Sequence, residues 1–357
     1  MLAFFFILLI VALLVERWSL RHALNGVKYD VRLSKQLMEI DEKIDMITTL
    51  RMTERRFVPF LKLSEEVPTD FRMDAKRRVN GFDEHRSRIA SSTYLMPRQK
   101  VTRRLSGSFP ARGRYVFTGA TMYGGDFLGL NEQVKYAVVL REAVVMPKRL
   151  GAPDVVDTLG GFLGDISVNR FIMEDPVLTL GFRDYTGREP MKNISWPVSA
   201  RMGKLMVKNF DYTLELSVSV ILNVDTAVYG QEGQALREKC YSLTRDVCET
   251  LEDKRIKYAF YTNSVAGGMV GAWNYISEGL GSAHLMGILE GLGRCTQASL
   301  FRTSLLIEHA ERRAEAGRAH VIVTPRRDDI APQDIERLRA RTGANVLVIA
   351  AEEVTVE

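Results

Sequence analysis

Residues 216–224 read Leu216-Ser217-Val218-Ser219-Val220-Ile221-Leu222-Asn223-Val224. A short, nearly continuous aliphatic run bounded by polar residues is the composition of a strand buried on both faces. Just downstream the period changes. Over 234–253, Leu236, Cys240, Leu243, Val247 and Leu251 recur at helical spacing, the pattern of a helix with one apolar stripe. Residues 256–262, 320–324 and 345–350 are further short apolar runs, separated by helical stretches near 282–292, 300–315 and 332–341. Strand and helix in alternation imply a mainly parallel sheet covered on both faces, so 214–357 is expected to be an α/β domain.

Upstream the grammar differs. Segments 29–33, 57–63, 99–105 and 133–146 carry alternating or β-branched residues between turn signals. Several short strands joined in this way predict an antiparallel, all-β sandwich-like domain over 21–150. Residues 69–92, charged and holding Asn80-Gly81, are expected to form an exposed loop. Residues 151–213 are read as a connecting region.

With 357 residues, 46% hydrophobic and 26% charged, the chain has the composition of a globular protein with a real core. Cys240, Cys248 and Cys295 are too few for a secreted disulfide framework and are expected to be reduced and buried. The net charge of +5 conceals a basic window: residues 51–114 hold sixteen Lys/Arg against seven Asp/Glu. That window suits an anionic lipid surface or a solvated face. It lacks a motif with interleaved aromatics, so a nucleic-acid partner is not expected.

Residues 2–15 are unbroken apolar, with Glu16-Arg17-Trp18 after them and no basic segment before. The reading is an uncleaved membrane helix over 1–20. Arg17, Arg21 and Lys28 follow it, and the tendency of such cations to stay inside places the bulk of a single-pass protein in the cytoplasm, at the cell membrane.

Two stretches carry the most specific patterns. The first is Arg183 and Tyr185, with Arg188-Glu189, Lys192, Ile194, Trp196 and Ser199-Ala200-Arg201. By chemistry it offers Arg183 and Arg201 as bidentate donors, the latter toward Glu189 or Asp184, and Trp196 as a buried anchor. The second is Arg112-Gly113-Arg114-Tyr115, followed by Asp126-Phe127-Leu128-Gly129-Leu130. Together they resemble the family called domain of unknown function 58. Arg188-Glu189 stands where that family has Gly-Asp, and Lys192 where it has Arg. The resemblance implies a von Willebrand factor A-like, Rossmann-like C-terminal domain on a membrane-tethered β-sandwich. It also implies a MoxR-type AAA+ ATPase as partner in envelope or complex assembly.

In A-type domains a magnesium ion sits on an Asp-x-Ser-x-Ser loop; the counterpart here is Asp225-Thr226-Ala227-Val228-Tyr229, with both serines lost. Asp328 and Asp329 come too late after the 320–324 strand for the usual geometry. Bound magnesium at Asp225 is therefore not expected, and Asp225 with Thr226 is a degenerate metal position. The five histidines form no metal spacing, and neither a Walker loop nor a Gly-x-Ser-x-Gly elbow is present. The expected function is a non-enzymatic, membrane-anchored scaffold or protein-binding module without a cofactor, its binding surface formed by the strand-end loops near Asp225, 262–271 and Thr324 at the carboxyl edge of the sheet. The alternative is a divalent-metal-dependent binder or hydrolase centred on Asp225.

Overall fold

The computed structural model describes residues 6, 10, 24–74, 79–81, 83, 85–125, 132–171, 179–187, 189–210, 217–268, 273–315, 317–343 and 345–355. The chain divides into two compact units. One is Met1–Lys148 with Leu289–Cys295, the other Arg149–Ile288 with Thr296–Glu357.

The first unit contains β1 (Val27–Leu33), β2 (Leu37–Met38), β3 (Ile44–Met52), β4 (Val58–Pro68), β5 (Arg72–Met73), β6 (Val79–Gly81), β7 (Arg86–Leu95), β8 (Lys100–Ser108), β9 (Gly113–Gly125) and β10 (Glu132–Val145). They form two sheets, ordered β1-β3-β8-β5 and β2-β10-β9-β4-β7-β6. In β3 every second residue is buried, the period of a strand with one face on a core. Val31, Ile44, Met46 and Leu50 of one sheet share a single cluster with Leu61, Leu63, Ile89, Phe117 and Met122 of the other. The sheets are antiparallel except where the short β2 runs parallel to β10, and two sheets around one core make a sandwich. Inside it lies one carboxylate, Glu65, which accepts hydrogen bonds from the hydroxyls of Thr48 and Tyr29. The loop expected over 69–92 is instead largely paired backbone, for β7 runs antiparallel to β4 from Arg86 onward. Its charged side chains alternate with apolar ones, and the ladder decides its conformation.

The second unit contains α1 (Pro153–Phe171), β11 (Thr179–Asp184), α2 (Trp196–Met202), β12 (Met206–Phe210), β13 (Ser217–Leu222), α3 (Gly230–Asp253), β14 (Lys257–Thr262), β15 (Ser264–Ala266) and β16 (Tyr275–Gly279). After these come α4 (Ser282–Arg294) and β17 (Cys295–Ser299), of which Leu289–Cys295 belong to the first unit, then α5 (Thr303–Arg313), β18 (Ala319–Thr324), α6 (Pro332–Thr342) and β19 (Val346–Ala350). The main sheet is ordered β16-β14-β13-β18-β19. It is parallel except at β16, which runs antiparallel to β14. β13 and β18 are buried at every position. Ile221, Ala259, Tyr261 and Ile322 pack against Leu306, Ile307 and Ala310 of α5 and Leu338 of α6. The alternate residues Val220, Phe260 and Val323 face the other way. α3 supplies buried Cys240, Leu243, Val247 and Leu251.

Two expectations are corrected. The assignment of this unit to the von Willebrand A type is not upheld. Across the described residues strand outweighs helix and the strands are divided among five sheets, and strand–helix alternation is common to open α/β sheets of many kinds. The single-pass membrane helix, and with it the placement at the cell membrane with a cytoplasmic bulk, is also withdrawn. Among the described residues no helix is long and apolar enough to cross a membrane. The physical reason is length: the fourteen residues of 2–15 would rise only about 21 Å as a helix, against a hydrocarbon core of about 30 Å. Apart from Phe6 and Ile10, residues 1–20 lie outside the described residues.

Candidate binding site at the carboxyl edge of the α/β sheet

Each of the three central strands ends on a short polar residue. Asn223 follows β13, Asn263 follows β14 and Thr324 closes β18; all three are fully buried. Parallel strands deliver their carboxyl ends to one edge, where connections to either side of β13 open a crevice.

Buried polar groups need partners, and here they find one another. The Asn223 amide nitrogen donates to the Asp225 carbonyl at 3.0 Å and to Thr324 Oγ1 at 3.1 Å. Its oxygen accepts from the Asp225 N–H at 3.0 Å, Asn263 Nδ2 at 2.8 Å and Thr303 Oγ1 at 3.1 Å. Asn263 Oδ1 accepts from the Val224 N–H at 2.9 Å. One asparagine thus ties three strand ends and the start of α5 together. The loop from Val224 to Tyr229 is held from below by side chains rather than by a sheet ladder.

Above this floor is a crevice of about 240 Å³ lined by Asp225, Thr226, Ala227, Tyr229, Thr303 and Asp329. Asp225 accepts from the Thr303 N–H at 3.4 Å and from Ser299 Oγ at 3.5 Å. Asp329 accepts the Arg326 N–H at 3.0 Å. Burial pushes the Asp329 carboxyl above the usual range, against hydrogen bonds from Thr226, Arg326 and Ala227 that pull it down. Tyr229 caps α3 at its amino end and is 82% exposed on the rim.

At this loop Thr303 Oγ1 donates to Asn223, and Thr226 Oγ1 accepts from the Val228 N–H and hydrogen-bonds Asp329. Among the described residues no group of three or more His, Cys, Asp or Glu is placed to hold a metal. Asp225 and Thr226 belong to the crevice as hydrogen-bonding groups. Asp329, set aside in the sequence as too distant from its strand, does reach it. A single helical turn over Arg327–Asp329 folds the chain back after Thr324. Asn223 and Thr303 were not singled out; Tyr229 was named only within the 225–229 stretch and Asn263 only within the 262–271 loop. The usable signal was a polar residue closing each aliphatic run.

The first motif lies elsewhere. Arg183 on β11 pairs with Glu189, which also accepts from the Thr186 N–H at 3.1 Å. Desolvation alone would raise the Glu189 carboxyl, but hydrogen bonds from Thr186 and Arg183 hold it at about 2. Arg201 is exposed, and Asp184 pairs with Lys204 at 2.7 Å; the expected Arg201 pairing to Glu189 or Asp184 is not made. Trp196 opens α2 and is 59% exposed, so it is not the buried anchor. That role falls to Ile194, bridged to Val207 and buried, and to Ser199, whose Oγ donates to the Ser195 carbonyl at 2.8 Å and accepts the Met206 N–H at 2.8 Å. Tyr185 is half-buried; Lys192 and Ala200 are exposed.

In the second motif Arg112 donates to the carbonyls of Leu292 and Cys295, both at 2.7 Å. Arginine there satisfies carbonyls that a helix end leaves open. Gly113 starts β9, and Tyr115 stacks on Phe109 with centroids 4.0 Å apart while its hydroxyl donates to the Ala111 carbonyl. Asp126, Phe127, Gly129 and Leu130 lie outside the described residues.

Among solved structures, the chain is similar to a cohesin module from a Clostridium perfringens family 33 glycoside hydrolase, at 6% identity and a TM-score of 0.25, over 34% of this chain and 96% of that one. The sporulation control protein Spo0M from Bacillus subtilis matches at 14% identity and a TM-score of 0.21, over 45% and 58%. A CARDB domain from Pyrococcus furiosus matches at 13% and 0.22, over 34% and 94%. No family model and no curated protein matches the chain.

Proposed function

We propose that this chain is a non-enzymatic protein-binding module, and that its binding surface is the crevice bounded by Asp225, Thr303, Asp329 and Tyr229. The observation that carries this reading is Tyr229, a large aromatic side chain left 82% exposed on the rim of a polar crevice. Exposed tyrosines beside charged pockets are the residues that concentrate binding energy in protein interfaces. The floor supports the same reading, because the buried Asn223 network holds the loop in one conformation and lowers the ordering cost of association. Two carboxylates favour a partner that inserts an arginine or lysine. The partner class is a MoxR-type AAA+ ATPase, carried from the motif resemblance.

The test is recovery of an AAA+ protein by the immobilised chain with and without ATP, using wild type and Tyr229→Ala. Because Tyr229 is exposed, the variant should melt like the wild type. It should nevertheless lose about 2 kcal/mol or more of binding, seen as at least a tenfold weaker recovery. Equal recovery by both would remove the crevice as the surface, and recovery of no AAA+ protein by either would remove the partner class.

A further inference from the structure

One end of the sandwich is built by the start of β1, the connection from β3 to β4 and the turn from β7 to β8. Backbone bonds tie them together: the Thr53 N–H donates to the Gly26 carbonyl at 2.9 Å, the Met52 N–H to the Gln99 carbonyl at 2.9 Å and the Arg98 N–H to the Glu54 carbonyl at 3.2 Å. Here Lys28, Arg51 and Lys100 are register partners across three neighbouring strands, and all are exposed. Strands lie about 4.8 Å apart, so the three cations stand in one row, and like charges directly opposite one another destabilise a sheet. Arg98 adds a second cost, for it holds a left-handed φ of +58°, which glycine adopts more cheaply. Arg55 is exposed in the β3–β4 connection. Over 46–60 and 94–104 the one carboxylate is Glu54, paired with Arg56 at 3.2 Å. Lys28, Arg51, Arg55, Arg98 and Lys100 belong to no ion pair among the described residues.

Apolar side chains share this end. Phe57, Tyr94 and Met96 are exposed, and the Phe57 and Tyr94 rings meet 6.5 Å apart at 54°. Met96 opens the β7–β8 turn, its N–H donating to Gln99 Oε1 at 2.7 Å, and Pro97 beside it is exposed. Cations around apolar tips match an anionic bilayer, whose headgroups take the charges and whose acyl boundary takes the apolar groups. A single-stranded nucleic acid asks instead for open ring faces on which bases stack. The two rings here are tilted against each other, and Met96 and Pro97 offer no aromatic plane.

We propose that this end of the sandwich docks on the surface of a bilayer containing anionic phospholipid. Lys28, Arg51 and Lys100 lie along the headgroups with Arg55 and Arg98, while Phe57, Tyr94 and Met96 enter the acyl boundary. The repulsion within the cation row is then relieved from outside the chain. Such docking is peripheral and needs no spanning helix.

The experiment is cosedimentation of the full chain with vesicles of mixed phosphatidylserine and phosphatidylcholine, or of phosphatidylcholine alone, at low and high salt. The wild type is expected to prefer the vesicles with phosphatidylserine and to lose that preference at high salt. In a variant carrying Arg51→Gln, Arg98→Gln and Lys100→Gln the preference should fall about a hundredfold, at roughly fivefold for each cation near the surface. Its melting temperature should be no lower than that of the wild type, because neutralising opposed cations relieves repulsion. Phe57→Ser with Met96→Ser should weaken binding about tenfold and leave the salt dependence in place, which keeps the test decisive should the first variant fold poorly. Equal binding of the wild type to both kinds of vesicle overturns the proposal. So does a folded variant of either kind that binds like the wild type, or tighter binding of the wild type to a single-stranded oligonucleotide that the triple variant loses.

Discussion

At the residue scale the most informative side chain is His320. It is the second residue of β18, fully buried, with neither ring nitrogen bonded among the described residues, and Ser219 is its cross-strand neighbour. Burial, reinforced by the nearby Arg318 guanidinium, lowers its pKa from 6.5 to about 4. Above pH 6.5 the ring is neutral in both folded and unfolded chains and adds no pH dependence. Between pH 6.5 and 4 the unfolded chain takes up a proton that the folded one refuses, so stability falls as pH falls. The loss levels off below both values and amounts to on the order of 3 kcal/mol. His320→Leu should flatten this limb: the difference in urea midpoint between pH 7 and pH 4.5 is expected to shrink markedly. An unchanged difference would place the acid sensitivity elsewhere. The contrast with Trp196 is instructive. Residue type alone suggested that the tryptophan was buried, yet Ile194 two positions before it carries the packing.

At the element scale, β9 and β10 close one side of the sandwich through a register shift between Val138 and Arg141. Gly119, at φ +119°, makes the shift possible: a Cβ there would strike the Ala137 carbonyl and come within 2.9 Å of the Val139 nitrogen. A bulge re-aims the side chains that follow it. Here Arg141 is turned so that its guanidinium donates to the Val31 carbonyl at 2.8 Å and to Asp30 at 3.2 Å, while Lys135 reaches the Val27 carbonyl at 2.9 Å. Two cations on the edge of one sheet thereby satisfy backbone groups on the edge of the other. Gly119→Val should cost on the order of 2 kcal/mol or more, from a strained φ and a backbone clash. Thermal unfolding would read it as a lowered midpoint, and an unchanged midpoint would show that the bulge can be rebuilt without glycine.

At the scale of the whole molecule, two cores share no residue. Phe117 belongs to the sandwich cluster and Leu338 to the cluster under α5 and α6. Phe117→Ala is expected to cost about 3 to 5 kcal/mol and Leu338→Ala about 2 to 5. Hydrogen exchange should locate each loss, with protection falling first in the unit that carries the substitution. Uniform loss throughout the chain for either variant would show that the two cores melt as one.

What the sequence determined by itself was the kind of element where the side-chain period is strong. The aliphatic run at 217–222 had to be a strand buried on both faces, and the apolar stripe from Leu236 to Leu251 had to be helical, because side-chain periodicity follows directly from backbone geometry. The change from strand pattern to strand–helix alternation likewise separated an antiparallel part from a mainly parallel one. Only the tertiary structure decided what met what. Asp329 joins Asp225 because the chain turns back after Thr324, and β7 is a strand despite its charges because β4 is there to pair with it. Trp196 is left in solvent because Ile194 reaches the packed side first. Periodicity is a local property, whereas a crevice or a buried asparagine network depends on residues as far apart as Asn223, Asn263 and Thr324, whose meeting is set by strand order.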